Sequence, residues 1–152
     1  MHLISYVSTS LVPPRFAEAE LTNITKTAVR RNARTDITGV LFFQGEHFFQ
    51  VIEGEKANLD RLYAELEDDP RHRNLVKLID QPIPARQLSD WSMDSFFVDN
   101  PEIVNPKTLA LIQALYTHNF GIDAPDLIEF TKRMIDEMDT YRIEREPMMR
   151  LN

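Results

Sequence analysis

The sequence predicts an α+β fold: a ferredoxin-like βαββαββ sheet with two helices on one face and a carboxy-terminal helical pair, expected on the other. Short apolar runs recur at 2–8, 37–43, 48–52, 75–80 and 91–98, as strands of a mostly buried sheet would. Amphipathic stretches with a helical repeat separate them at 16–32 and 56–67, and beyond Val98 only helical patterning is seen. With 152 residues, 43% of them apolar, the chain can bury a core without disulfides or a structural metal.

Each element has its own signal. The run His2 to Ser8 sets Leu3 and Val7 against Ile4 and Tyr6 and stops before Pro13-Pro14. From Phe16 to about Asn32, Ala17, Leu21, Ile24 and Ala28 share one helical face, and acidic residues come early and arginines late, as the helix dipole favours. Ile37 to Phe43 and Phe48 to Ile52 read as strands joined by Gln44-Gly45-Glu46-His47, which supplies a hairpin glycine. Leu59, Leu62, Tyr63 and Leu66 form the stripe of a helix from Lys56 to Glu67, and Asp69-Pro70 ends it. Strands at Leu75 to Asp80 and Trp91 to Val98 follow, with Pro82 and Pro84 between them. In this order the first and third strands lie side by side in the centre, and both helices cover one face.

After Val98, Asn105-Pro106 caps a helix through Leu109, Ile112, Leu115 and Tyr116 to Gly121. A second helix starts near Pro125, with Leu127, Thr131, Met134, Ile135, Met138 and Tyr141 on one side. This pair is expected to cover the bare sheet face, whose Phe and Ile side chains would otherwise promote aggregation; binding a partner is the alternative.

Composition excludes several chemistries. There is no Cys, so thiolate catalysis and Cys-ligated zinc are out, and the four Gly fit neither GxGxxG nor a P-loop. A net charge of -7 argues against direct nucleic-acid binding. The amino terminus lacks the pattern of a signal peptide, and no apolar run approaches the ~20 residues that span a bilayer, so a cytoplasmic protein without membrane contact is expected. His2, His47, His72 and His118 are scattered and no GxSxG elbow exists, so a hydrolase is poorly supported. His2 and His47 could meet across strands, but with no acidic pair beside them no metal site is expected.

The sheet centre is more informative. Tyr6, near the end of the first strand, and Gln50, midway in the third, fall on adjacent strands, so a phenol and an amide could touch in apolar surroundings. A mutually satisfied polar pair accounts for this. So does a switch, because a glutamine can exchange its donor and acceptor ends almost without changing shape. Asn32, with Arg30 and Arg31, reads by itself as a helix end, and Met93 as core.

In register, these segments resemble one family. Tyr6-Val7-Ser8, Arg30-Arg31-Asn32 followed by Asp36-Ile37-Thr38-Gly39-Val40-Leu41, Phe48-Phe49-Gln50-Val51-Ile52-Glu53-Gly54, Asp69-Pro70-Arg71-His72 and Trp91-Ser92-Met93 are similar to the BLUF domain, the blue-light sensor that uses FAD. The resemblance covers about residues 1 to 97. It implies a noncovalent FAD between the two helices, with Tyr6 as electron and proton donor to the excited flavin and Gln50 joining Tyr6 to the flavin N5 and C4 carbonyl. Asn32 would hold the polar edge of the ring, Ile24 and Ile37 would pack on it, and Arg71 and His72 would lie near the ring and its side chain. Trp91 and Met93 would carry the signal outward, one of them next to Gln50. Ala28 stands where several relatives carry Ser, and Arg31 where some have a second Asn.

The expectation is a non-enzymatic photoreceptor: residues 1–97 as the flavin-binding domain and 98–152 as a helical cap or output element, signalling to a separate protein partner or through a homo-oligomer. The rival is a ferredoxin-like binding or adaptor module without a flavin photocycle.

Overall fold

The computed structural model describes residues 1–44, 46–97 and 124–138. Five strands, β1 (His2–Ser10), β2 (Thr38–Gln44), β3 (His47–Gly54), β4 (His72–Pro82) and β5 (Ser92–Phe97), form one sheet in the order β4-β1-β3-β2-β5. The first four have the expected ferredoxin-like order, with β1 and β3 central. β5 adds to the outer edge of β2 in parallel, and the other pairs are antiparallel. Among the described residues the α-helices are α1 (Ala17–Thr35), α2 (Lys56–Glu67) and α3 (Ala124–Met138).

Alternation along each strand divides the core in two. Leu3, Val7, Val40, Phe42, Phe49, Val51 and Phe96 pack on one side with Leu127, Ile128, Met134 and Ile135 of α3. Ile4, Leu41, Phe43 and Ile52 pack on the other with Leu21 and Ala28 of α1 and Leu59 and Leu62 of α2. The second carboxy-terminal helix thus covers the face that α1 and α2 leave bare. The helix expected over 105–121, Tyr141 and the end of the fifth strand at Val98 lie outside the described residues.

Several boundaries differ from the sequence reading. β4 begins at His72 rather than Leu75, because β1 runs on to Ser10 and pairs with it there. α1 continues to Thr35, where Asp36 in the left-handed conformation (φ 53°) closes it through its N–H on the Asn32 carbonyl. Asn32 is therefore one turn inside the helix, 1% exposed, rather than at its end. His2 and His47 lie at opposite ends of the β1–β3 ladder, opposite Gly54 and Thr9, so they do not meet.

A glycine and a buried carboxylate hold β5 in place. Gly39 donates its N–H to the Trp91 carbonyl (2.7 Å), and a Cβ there would lie 2.2 Å from the Val51 oxygen, so the backbones approach too closely for any side chain. Glu53, fully buried, accepts from Thr38 Oγ1 (2.9 Å) and from the backbone N–H groups of Gln87 and Leu88, tying the β4–β5 connection to β3.

Candidate functional site

α1 and α2 do not close completely over the sheet. Between them lies a cleft open to solvent, about 530 Å³ with its open mouth included. Ile24, Thr27, Ala28 and Arg31 of α1 form one wall, Tyr6, Leu41, Phe48 and Gln50 the sheet floor, and Leu66, Asp69, Arg71 and His72 the far wall.

Tyr6 and Gln50 are directly opposed in the β1–β3 register. The Tyr6 hydroxyl donates to Gln50 Oε1 at 2.5 Å, and Gln50 Nε2 donates to Met93 Sδ at 3.3 Å. Chemistry fixes the direction of this chain. A thioether can only accept, so the amide nitrogen faces Met93, its oxygen faces Tyr6, and the phenol must donate. Burial first, then the nearby Tyr63 and Asp69, push the Tyr6 hydroxyl well above its ordinary pKa against an opposing effect of Arg31, so Tyr6 keeps its proton at neutral pH.

Met93, the neighbour of Gln50, sits at an irregularity in β5. Gly39 pairs with Ser92 and Val40 with Asp94, which leaves Met93 as the extra residue of a bulge. Its φ is 128°, a conformation that costs a non-glycine residue about 1–3 kcal/mol. The fully buried Met93 side chain shares the face of Ser95 and Phe97 and enters the cluster beneath α1 and α2. Trp91, half-buried, packs instead against the cluster on the α3 side. Of the two residues, Met93 is the neighbour of Gln50.

His72 is held at both ring nitrogens. Nε2 lies 2.5 Å from the Leu66 carbonyl, which can only accept, so Nε2 carries the proton, and in the neutral ring Nδ1 accepts from Ser8 Oγ at 2.8 Å. The ring lies edge-on to Tyr6, 6.1 Å between centroids. Arg71 binds Asp69 through Nε (2.9 Å) and Nη2 (2.6 Å), and this guanidinium holds the Asp69 carboxyl below the usual carboxylate range.

The remaining expected residues divide. Ile24 lines the cleft, whereas Ile37, 3% exposed, lies in the core, and neither it nor the buried Asn32 belongs to the lining. Among the described residues, both amide atoms of the buried Asn32 side chain lack a partner. A buried amide without partners is costly, and a ligand edge presenting a carbonyl beside an N–H would satisfy both atoms. A flavin ring has such an edge and an apolar body suited to Ile24, Ala28, Leu41 and Phe48, so the residues present fit this cofactor.

Sequence reasoning overlooked Ser8, Thr27, Phe48, Leu66 and Asp69. Ser8 and Phe48 could have been found from alternation alone, since they lie two residues from Tyr6 and Gln50 on the same face.

Comparison with known proteins agrees with this geometry. The family model described as sensors of blue-light using FAD (BLUF) matches residues 1–94, and the chain belongs to that family. It is 42% identical over 69 residues to the blue light- and temperature-regulated antirepressor BluF of Escherichia coli (strain K12), covering 45% of this chain and 17% of that protein. It is 33% identical over 97 residues to photoactivated adenylate cyclase subunit alpha of Euglena gracilis, covering 64% of this chain and 10% of that one. The chain thus spans less than a fifth of the length of these relatives. Its fold is similar to the dark state structure of the BLUF protein BlrB, with a TM-score of 0.68 at 28% identity over 88% of this chain and 96% of that one. FAD is the cofactor by which the family is defined, and the matched region is a sensory module. Among the described residues, no helix is long and apolar enough to cross a membrane, and no cluster of three potential metal ligands occurs.

Proposed function

We propose that the chain is a blue-light photoreceptor in which Tyr6 and Gln50 form the switch and Met93 passes its state to β5. The observation that carries this reading is the directed chain from Tyr6 through Gln50 to Met93 on the cleft floor. FAD bound in the cleft would supply a chromophore for blue light and, once excited, an oxidant. Ile24, Asn32, Arg71 and His72 would hold it, with Ile37 supporting the wall from the core. With no Cys in the chain, no cysteinyl adduct can form.

Tyr6 gives up an electron with its proton and later recovers both, so no net reaction occurs. While that proton is away, Gln50 Oε1 has no donor, and the amide exchanges its donor and acceptor ends. An acceptor then faces Met93 Sδ. Neither atom has a proton to share, so the Gln50–Met93 contact is lost. The strained bulge at Met93 is the two-state element this loss biases, and β5 carries the change away from the cleft.

In this reading residues 1–97 are the sensor and 98–152 the output element. The signal goes to a separate protein partner or through rearrangement of a homo-oligomer, with no enzymatic activity in the sensor and a cytoplasmic setting. Relatives whose names join light to repression or to adenylate cyclase support an output outside the sensory fold.

Colour is the direct test. Purified protein should be yellow, and blue light should shift its flavin band slightly to the red, with recovery in darkness. Colourless protein that also refuses added FAD would refute the reading.

A further inference from the structure

The cleft does not end at the ring-sized space above Tyr6 and Gln50. It continues into an outer lobe lined by Arg31, Glu65, Leu66, Asp69, Pro70 and Arg71, four of which also line the inner cleft. Two guanidiniums therefore stand where a ligand seated in the cleft would leave it.

They differ in how far their donors are used. Arg71 is committed: Nε and Nη2 both bind Asp69, and Nη1 lies 3.8 Å from Glu20. Arg31 is not. Its Nε is buried and, among the described residues, has no partner, while its ion pair is a 3.8 Å contact from Nη1 to Glu65, whose side chain is 57% exposed. A solvated pair at that distance is weak, and a buried guanidinium N–H without an acceptor is costly.

We propose that Arg31 is a specificity-determining residue that binds a phosphate of the ligand's tail, so that the cleft selects flavin nucleotides over riboflavin. A phosphate offers a guanidinium paired acceptors and full charge, which the Glu65 carboxylate at 3.8 Å does not match. The other charges of the lobe set the sign of each effect. Asp69 is neutralised by Arg71, Glu20 lies 3.8 Å from Arg71, and Glu65 competes with the phosphate for Arg31. Removing Arg31 should therefore weaken nucleotide binding, and removing the charge of Glu65 should strengthen it.

This inference rests on the flavin reading of the cleft, and the experiment separates the two. The full chain, exchanged against riboflavin, FMN or FAD, is titrated by quenching of flavin fluorescence, with circular dichroism confirming the fold of each variant. The wild-type chain should bind FMN and FAD about tenfold or more tighter than riboflavin, the scale of one charge-assisted contact. Arg31→Gln should remove that difference while leaving riboflavin affinity unchanged, Arg31→Lys should restore part of it, and Glu65→Gln should widen it. Equal affinity of the wild-type chain for all three flavins would overturn the proposal. So would equal weakening of all three by Arg31→Gln, which would assign Arg31 to the ring instead. If Arg31→Gln fails to fold, an unchanged difference in Glu65→Gln overturns it and a widened one supports it. Failure of the wild-type chain to bind any flavin would overturn the photoreceptor reading along with it.

Discussion

On the α3 side of the sheet Phe42 stacks against Phe49 and Phe96, with ring centroids 5.9 and 5.0 Å apart. On the α1/α2 side the same or adjacent strands present Tyr6, Ser8, Gln50, His72 and Ser95, and α1 presents Thr25 and Asn32. The difference arises from a two-residue period: stepping by one along β1 or β3 changes a side chain from packing to chemistry. Buried polar groups occur on both faces, since Ser5, Glu53 and Asp94 alternate with the residues around Leu3, Val51 and Phe96, but the side-chain pairs Tyr6–Gln50, Ser8–His72 and Thr25–Ser95 lie on the α1/α2 side. Met93–Gln50 and Thr25–Ser95 join β5 to that face, the latter at 2.5 Å, while Trp91 and Phe96 keep the strand anchored on the other.

Substitutions on each face test this division. The largest stability effect belongs to the apolar side. Phe42→Ala should lower the unfolding free energy by about 3–5 kcal/mol, the usual loss for a buried phenyl ring, and chemical denaturation measures it. In the fraction that remains folded, the flavin band and its red shift should be unchanged; a folded Phe42→Ala protein without the shift would show that the faces are not independent. A much smaller effect is expected at Ser8. Ser8→Ala removes the donor to His72 Nδ1 and should cost about 1 kcal/mol, because His72 stays held by Leu66 through Nε2. Loss of the red shift in Ser8→Ala would move His72 from the wall of the site into the switch.

Alternation and order made the sheet, its central pair and the facing of Tyr6 and Gln50 legible in the sequence, since both depend on local period and simple connectivity. Register between distant segments was less accessible. The start of β4 at His72 depends on pairing with Ser10, and the depth of Asn32 depends on α1 running on to a left-handed Asp36. The choice between Trp91 and Met93 could not be read at all, because simple alternation assigns both to one face, and the bulge that leaves Trp91 on the other has no compositional mark. Arg31 stood out only as a departure from the family pattern. Its unpaired Nε emerges only when the walls of the cleft are assembled.

We propose the Tyr6 hydroxyl, acting through Gln50, as the switch. Tyr6→Phe removes that hydroxyl and keeps the ring, so the variant should fold, bind FAD and remain yellow. The measurement is the light-minus-dark absorption difference of Tyr6→Phe beside the wild-type chain, at equal flavin occupancy. A reversible red shift is expected in the wild-type chain and none in the variant. A red shift of normal size and recovery in Tyr6→Phe would contradict it.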